Sequence, residues 1–279
     1  MKIEKTNEIG FCFGVRRAIG ILEKAAHKHG RMETLGAVVH NQQVLQKLAK
    51  IGVRVAEGID EIQGDTIAIS AHGVSPQVEK EIKARHIDII DTTCPFVHRA
   101  QVAAQRLVES GFFVVIYGEV DHPEVKGILG WANGKGIATL DERPVTELKP
   151  IPNRLGVLSQ TTQMPAHFTD FVRKLIDSAF TKGSELHIID TICHDIRKRQ
   201  EAALELASRV DLMLVIGSRT SANSNHLAEL CSKVIKTYLV ETAEELQPSW
   251  FQGQHHIGIT AGTSTAEQTI DEVLTRLET

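Results

Sequence analysis

Short apolar runs alternate with amphipathic segments along the whole chain, and this alternation constrains the fold more than any other feature. The apolar runs predict strands at Thr34–Val39, Thr66–Ser70, Phe112–Tyr117, Arg154–Leu158, Leu212–Ile216 and His256–Thr260. Segments with helical periodicity follow most of them, at Val44–Ala49, Pro76–Arg85, His167–Ala179, Leu227–Ile235 and Thr265–Leu277. Strands that alternate with helices are typical of βα units, so the sequence predicts an α/β fold with parallel sheets.

Three of the four cysteines recur at about one per third of the chain. Cys12 and Cys94 are 82 residues apart, and Cys94 and Cys193 are 99 residues apart, in a chain of 279 residues. Each precedes a segment with helical periodicity, at Val15–Ala26, Val97–Glu109 and Gln200–Val210. This spacing predicts three similar α/β domains that face one centre, at residues 1–92, 93–190 and 191–279.

Each third of the chain also contains two predicted strands that end in polar loops. The loops read Val39-His40-Asn41, Ala71-His72-Gly73, His122-Pro123-Glu124, Ser159-Gln160-Thr161-Thr162, Ser221-Ala222-Asn223-Ser224-Asn225 and Ala261-Gly262-Thr263-Ser264. Ligands of open α/β sheets bind beyond the carboxyl ends of the strands. We therefore expect the six loops and the three cysteines to meet at a common site.

The residues around the three cysteines favour metal ligation. Cys94 and Cys193 share the pattern Asp-Thr-X-Cys. Thiolates ligate iron–sulfur clusters, and three protein ligands on a cubane leave one iron open to a substrate. Two alternatives are buried core cysteines and a zinc site, although the CxxC pair common in zinc sites is absent. The fourth cysteine, Cys231, lies within an amphipathic segment and is interpreted as a core residue.

Several polar residues in the loops have two interpretations each. The histidines at the strand ends, His40, His72 and His122, could bind a phosphate or cap the next helix. Glu124 is either a proton donor with a raised pKa or a first-turn glutamate favoured by the helix dipole. Residues 217–225 carry many small hydrogen-bond donors between a strand and a helix, as in an anion site. The chain has no Walker A lysine pattern and no G-x-G-x-x-G, so nucleotide binding has little support.

Charge and apolar run length exclude some classes of protein. The formal net charge of −4 argues against a general nucleic-acid binder, which is usually basic. Residues 1–14 lack the apolar stretch of a signal peptide, and runs such as Phe112–Tyr117 are too short to span a bilayer. We therefore expect a cytoplasmic protein without a membrane or nucleic-acid partner, in which structural disulfides are disfavoured.

Motifs in a characteristic order cover essentially the whole chain. They are Gly10–Val15 with Arg17-Ala18-Ile19, Val38–Asn41, Ala71–Val74, Asp91–Pro95, His122–Val125 with Gly127, Ser159–Thr162, Asp190–Cys193 with Arg199-Gln200, Ser221–Asn225 and Thr260–Ser264. This set resembles the 4-hydroxy-3-methylbut-2-enyl diphosphate reductase family, which acts last in the non-mevalonate isoprenoid pathway.

The resemblance implies a trefoil of three α/β domains around a central [4Fe–4S] cluster. It implies that the cluster ligands are Cys12, Cys94 and Cys193. The positions that match diphosphate-binding residues are His40, His72, Ser221, Asn223 and Ser264. The positions that match catalytic residues around the substrate's hydroxyl group are His122, Glu124 and Thr161, with Glu124 as the proton donor.

The resemblance also implies a two-electron reductive dehydroxylation that uses a cluster with one open iron. The substrate would be (E)-4-hydroxy-3-methylbut-2-enyl diphosphate, and the products isopentenyl and dimethylallyl diphosphates. Because the chain has no flavin or nicotinamide motif, we expect the electrons to come from a ferredoxin or flavodoxin. We expect a monomer. Two alternatives are a dehydratase that uses the open iron without a reductant and a cluster-bearing sensor without catalysis.

The chain departs from the family pattern at three places. Ala222 stands where a second serine is common, and His194-Asp195-Ile196 follow Cys193 where the family usually has a residue and then Ala-Thr. These two departures remove hydroxyl groups expected near the diphosphate and the cluster. They predict altered affinity and rate within the same reaction class. Ala266 replaces a frequent proline, which we interpret as a structural change.

Overall fold

The computed structural model describes residues 1–39, 41–179 and 183–278. Within these ranges the strands are β1 (Lys2–Lys5), β2 (Met32–Leu35), β3 (Val53–Ala56), β4 (Thr66–Ile69), β5 (Asp88–Asp91), β6 (Phe113–Tyr117), β7 (Gly136–Thr139), β8 (Arg154–Ser159), β9 (Glu185–Ile188), β10 (Leu212–Ile216), β11 (Thr237–Val240) and β12 (His256–Ala261). The α-helices are α1 (Phe13–His29), α2 (Gln42–Lys50), α3 (Pro76–Ala84), α4 (Pro95–Glu109), α5 (Pro123–Trp131), α6 (Arg143–Thr146), α7 (Pro165–Ala179), α8 (His194–Ala207), α9 (Ala222–Ser232) and α10 (Glu267–Glu278). Short 3-10 helices cover Ile59–Glu61, Ala243–Glu245 and Pro248–Phe251.

The strands form three four-stranded parallel sheets with the same topology. The first sheet has the order β3-β2-β4-β5, the second β7-β6-β8-β9, and the third β11-β10-β12-β1. The predicted α/β fold with parallel sheets is therefore confirmed. In the third sheet the N-terminal strand β1 pairs with β12 and takes the edge place that β5 and β9 take in the other two. The division of the chain at residues 92 and 190 stays a prediction.

The six predicted strands correspond to the two central strands of each sheet. Central strands of a parallel sheet are covered on both faces and so read as apolar runs. All five residues of β10 are buried, for example. Edge strands such as β5 and β9 are only four residues long, and their end residues are exposed; in β5 these are Asp88 and Asp91. The six edge strands, β1, β3, β5, β7, β9 and β11, were not predicted from the sequence.

Several boundaries differ from the prediction, and two of these differences have a clear structural reason. Strand β2 ends at Leu35, before Gly36, whose φ of 71° lies in the left-handed region. Val38 and Val39 are buried in the loop that follows, which made this loop read as a strand. Helix α9 begins at Ala222 rather than Leu227, because the Ser221 side chain caps it by accepting from a main-chain N–H group.

Helices α1, α4 and α8, called here the cysteine helices, each follow an edge strand and lead to the next sheet. Cys12, Cys94 and Cys193 are the N-cap residues of these helices. Each helix packs its apolar face into the core; Leu22 of α1, for instance, is fully buried, which stabilises the fold by about 2 kcal/mol. In the described part of the chain, no helix has both the length and the apolar character needed to cross a bilayer.

Candidate active site

A cavity lies where the three sheets meet, and it contains about 730 Å³ of space free of protein atoms, counted out to its mouth. The cavity is lined by all three N-cap cysteines and by residues that follow the six central strands. From the loops these lining residues are Val38, Val39, Ala71, His72, His122, Glu124, Thr161, Thr162, Ser221, Ala222, Asn223, Thr263 and Ser264.

Main-chain hydrogen bonds join each cysteine to the loop of the adjacent central strand. Cys12 N donates to Thr263 O at 3.1 Å, and Cys94 N donates to Ala71 O at 3.0 Å. Cys193 N donates to Thr161 O at 2.9 Å. Because these bonds repeat once per sheet, the parallel topology itself brings the three thiols to one cavity.

The shared Asp-Thr-X-Cys pattern has a local structural role. Asp91 Oδ1 accepts from Thr93 N at 2.8 Å, and Asp190 Oδ1 accepts from Ile192 N at 3.1 Å. Each aspartate thus forms a turn with the main chain immediately before the cysteine. The internal repeat in the sequence therefore reflects two turns of the same shape, each of which leads into a cysteine helix.

The packing around the thiols leaves no room for a side chain at Gly14. A Cβ atom added to Gly14 would lie 2.6 Å from Cys94 Sγ and 3.9 Å from Cys12 Sγ, so two thiols approach the main chain where a side chain is missing. Among the described residues, no set of three His, Cys, Asp or Glu side chains is arranged to hold a single metal ion. In a cubane cluster each cysteine binds a different iron, so its ligands lie farther apart than those of one ion.

Burial raises the pKa of all three cavity thiols, that of Cys193 to about 12. Main-chain N–H groups at the start of each cysteine helix oppose this rise. Such N–H groups stabilise a thiolate once a metal replaces the proton. The donor set is therefore suited to iron–sulfur ligation, which stays a prediction.

Glu124 has the most altered carboxyl environment in the cavity. Its side chain is only 2% exposed, and its two carboxyl oxygens accept from Thr161 N at 2.6 Å and Thr161 Oγ1 at 2.9 Å. Burial raises the pKa of Glu124 to about 7, although both hydrogen bonds from Thr161 favour the ionised form. A carboxyl group with this pKa can give and regain a proton near neutral pH.

His122 joins Glu124 to the second histidine of the cavity. It caps α5, and its Nδ1 accepts from Glu124 N at 3.1 Å, which places the proton of a neutral ring on Nε2. The rings of His122 and His72 meet edge to face, with their centroids 5.4 Å apart. His72 and His122 therefore lie together in the cavity that Glu124 also lines, whereas the third predicted histidine, His40, lies outside the described residues.

The opposite part of the cavity is lined by hydrogen-bonding groups that suit an anion. Ser221 caps α9 and accepts from Ser224 N at 3.4 Å, so the helix N-terminus points to this region. Asn223 is 2% exposed, and neither its amide oxygen nor its amide nitrogen has a hydrogen-bond partner among the described residues. Buried amides are nearly always paired, so Asn223 indicates a polar ligand. Ser264, also buried, lines the same cavity.

The residues that follow each cysteine were not predicted from the sequence to line the cavity, except Ile196, at whose position a hydroxyl group was expected near the cluster. The lining residues two and three positions after the cysteines are Gly14, Val15, Phe96, Val97, Asp195 and Ile196. Their equal offset from each cysteine is a sequence signal that could have identified them. Thr162 belongs to a loop that was predicted to lie at the site, but it was not named as a site residue; its hydroxyl group has no hydrogen-bond partner in the described ranges.

Comparison with known proteins agrees with the motifs. The sequence matches the LytB protein family over residues 3–278. A protein of Dehalococcoides mccartyi named 4-hydroxy-3-methylbut-2-enyl diphosphate reductase is 59% identical over 278 residues, which cover 100% of this chain and 98% of that protein. One of the same name from Geotalea uraniireducens is 41% identical over 279 residues, covering 100% of this chain and 97% of the relative.

Two solved structures cover 100% of this chain. One, described as the terminal enzyme of the non-mevalonate pathway, has a TM-score of 0.73 and 36% identity, with 99% of its chain covered. The other, an E-1-hydroxy-2-methyl-but-2-enyl-4-diphosphate reductase from Plasmodium falciparum, has a TM-score of 0.93 and 27% identity, with 88% of its chain covered. The resemblance inferred from the motifs is therefore confirmed, and this chain belongs to the LytB protein family, that of the 4-hydroxy-3-methylbut-2-enyl diphosphate reductases.

Proposed function

We propose that this chain reduces (E)-4-hydroxy-3-methylbut-2-enyl diphosphate to isopentenyl and dimethylallyl diphosphates. The main support is Glu124, a buried carboxyl group with a pKa raised to about 7 that lines the same cavity as three cysteines. Two electrons and two protons enter the reaction, the allylic C–O bond breaks, and one water leaves. The second proton is added to carbon at either end of the allylic system, which accounts for two products.

Cys12, Cys94 and Cys193 would hold a [4Fe–4S] cluster at the centre of the cavity. When bound, such a cluster with one open iron supplies the electrons and a Lewis acid for the leaving oxygen. The support in this chain is the close approach of two thiols to Gly14 and the lining of one cavity by all three.

Glu124 would donate the proton that leaves with the hydroxyl oxygen as water. Thr161 holds both carboxyl oxygens and thereby orients the acid towards the cavity. His122, which accepts from Glu124 N, lies at the same place and could bind the hydroxyl group through its Nε2–H. The two side chains and the carboxyl group together form a polar region around the reacting oxygen.

The diphosphate would bind at the N-terminus of α9, where main-chain N–H groups and the helix dipole favour an anion. Its oxygens would accept hydrogen bonds from Ser221, Asn223, Ser264 and His72. His40, which lies outside the described residues, would be a further donor. A bound diphosphate adds negative charge to the cavity, which would raise the pKa of Glu124 further and keep it protonated for the reaction. Ala222 and Ile196 line this cavity without a hydroxyl group, so one possible contact to the diphosphate and one hydroxyl group near the cluster would be missing.

The remaining assignments concern partners and location. We propose a ferredoxin or flavodoxin as electron donor, because the sequence has no flavin or nicotinamide motif of its own. We also propose that the protein acts as a monomer in the cytoplasm.

The test is an anaerobic assay of the cluster-loaded protein with the hydroxylated diphosphate and reduced methyl viologen. We expect substrate-dependent viologen oxidation and both isoprenoid diphosphates as products. The Glu124→Gln variant should retain cluster absorption and lose most turnover. Turnover without a reductant would indicate a dehydratase instead. No turnover from protein with full iron and sulfide content would refute the proposed reaction.

A further inference from the structure

Three arginines form a cyclic set of contacts around the cysteine loops. Each lies on one cysteine helix, five or six residues after its cysteine, and donates to a main-chain carbonyl just before the next cysteine. The donors are Arg17, Arg99 and Arg199, and the acceptors are Thr93 O, Asp190 O and Gly10 O. The set closes on itself, because the third cysteine helix reaches back to the first cysteine loop.

The first two contacts join successive sheets. Arg17 Nη1 donates to Thr93 O at 3.1 Å, and Thr93 directly precedes Cys94. Arg99 Nη2 donates to Asp190 O at 2.9 Å, three residues before Cys193. In both cases the arginine and its acceptor follow different sheets, so the bond fixes one cysteine loop relative to the neighbouring cysteine helix.

The third contact is the most buried. Arg199 is 3% exposed and donates to Gly10 O and Ala261 O, both at 2.9 Å. Gly10 lies two residues before Cys12, and Ala261 ends strand β12. Burial lowers the pKa of Arg199, although the nearby Cys12, Glu8 and Asp195 favour its charged form. Two charge-assisted hydrogen bonds to carbonyl groups offset part of the cost of burying this cation, whose Nε has no partner among the described residues.

The position of each acceptor explains why these bonds affect the thiols. Each cysteine is an N-cap residue, so its Sγ position depends on the main chain that immediately precedes the helix. A planar guanidinium can hold a carbonyl group in a defined direction. Three such bonds, one per cysteine loop, therefore act on the spacing of the three thiols.

We propose that Arg17, Arg99 and Arg199 are positioning residues, each of which holds the cysteine loop of the neighbouring sheet in the geometry that a shared cofactor requires. This inference rests on the proposed function only for the identity of that cofactor. Its specific consequence is that removing one arginine disturbs a cysteine on another helix. Arg17 acts on Cys94 and Arg99 on Cys193.

The test measures cysteine reactivity in the apo protein, so it needs neither cluster nor substrate. Wild-type protein and the Arg17→Met and Arg99→Met variants are treated with iodoacetamide, and the alkylation rate of each cysteine is followed by mass spectrometry. We expect about tenfold faster alkylation of Cys94 in the first variant and of Cys193 in the second, because losing a hydrogen bond from a charged donor favours local opening. The cysteine on the variant's own helix should stay within about twofold of wild type.

Arg16→Met is the matched control, since it removes the same charge from an exposed position on α1. It should leave all rates unchanged. Buried Cys231 reports global unfolding in every sample. Equal acceleration of all four cysteines, or none at the neighbouring one, would overturn the proposal.

The buried Arg199 is tested by Arg199→Lys, which keeps the charge and one donor and so protects folding. We expect faster alkylation of Cys12 alone and a reduced iron content after anaerobic reconstitution. Unchanged reactivity of Cys12 together with normal iron loading would refute the role of Arg199. If the arginine variants behave as expected in these apo tests but the wild-type protein does not turn over the hydroxylated diphosphate, the proposed reaction is refuted and the positioning role remains.

Discussion

Replacing Glu124 with glutamine should stabilise the apo protein at neutral and alkaline pH while it abolishes turnover. Below its ordinary pKa of 4.5 the carboxyl group is protonated in both the folded and the unfolded chain, so its ionisation does not change the free energy of unfolding there. As the pH rises, the unfolded chain ionises first, and the wild type loses stability until the folded carboxyl group ionises at about 7. A shift from 4.5 to about 7 corresponds to a loss of about 3 kcal/mol.

The glutamine variant does not lose this stability as the pH rises, because the glutamine side chain cannot ionise. Glutamine can still form hydrogen bonds with the main-chain N–H and the hydroxyl group of Thr161. Urea unfolding of both reduced apo proteins at pH 4, 6 and 8 gives the difference in free energy of unfolding. Glu124→Gln should gain about 3 kcal/mol relative to wild type between the lowest and the highest pH. Parallel pH profiles for the two proteins would refute the raised pKa and with it the proton-donor role.

Thr161 allows a second test of the same carboxyl group. Its hydroxyl group lowers the pKa of Glu124, so Thr161→Val should raise that pKa further. The free energy of unfolding of this variant should then continue to fall up to a higher pH than that of the wild type. Thr161→Ser keeps the hydroxyl group and serves as the control. If valine and serine variants share one profile, the hydroxyl group does not act on Glu124.

Asn223→Ala should raise KM for the diphosphate substrate by about tenfold, because its buried amide has no partner among the described residues. The exposed Asn225, which donates to a main-chain carbonyl at 2.8 Å, is the control, and equal KM values for the two alanine variants would contradict a ligand role. Gly14→Ala should lower iron bound per chain to under about half, since the new methyl group would lie 2.6 Å from Cys94 Sγ. Gly20→Ala, with open space around it on the same helix, should load normally.

The sequence alone predicted the parts of the fold that depend on local burial. A strand covered on both faces must be apolar, so the six central strands were visible as apolar runs. Their polar loops and the three cysteines were also visible, because they recur in each third of the chain and include more hydroxyl and amide groups than helix capping alone requires. The edge strands were not visible, because exposed four-residue segments such as β5 carry no such pattern.

Only the tertiary structure decided how these parts are connected and what each side chain does. The pairing of β1 with β12 joins the two ends of the chain, which no local pattern predicts. From the sequence, Glu124 had two interpretations, a proton donor or a first-turn glutamate favoured by the helix dipole. Its burial against Thr161 favours the proton donor, because burial penalises the charged form and so raises the pKa.

The arginine contacts are the clearest example of structure that the sequence did not predict. Arg17, Arg99 and Arg199 reach carbonyl groups that are 76, 91 and 189 positions away in the chain. Sequence periodicity reports which face of an element is buried, but not which distant main-chain group a long side chain meets. Spacing and the family resemblance thus predicted the members of the site, whereas the packing of three sheets determined their burial, orientation and mutual contacts.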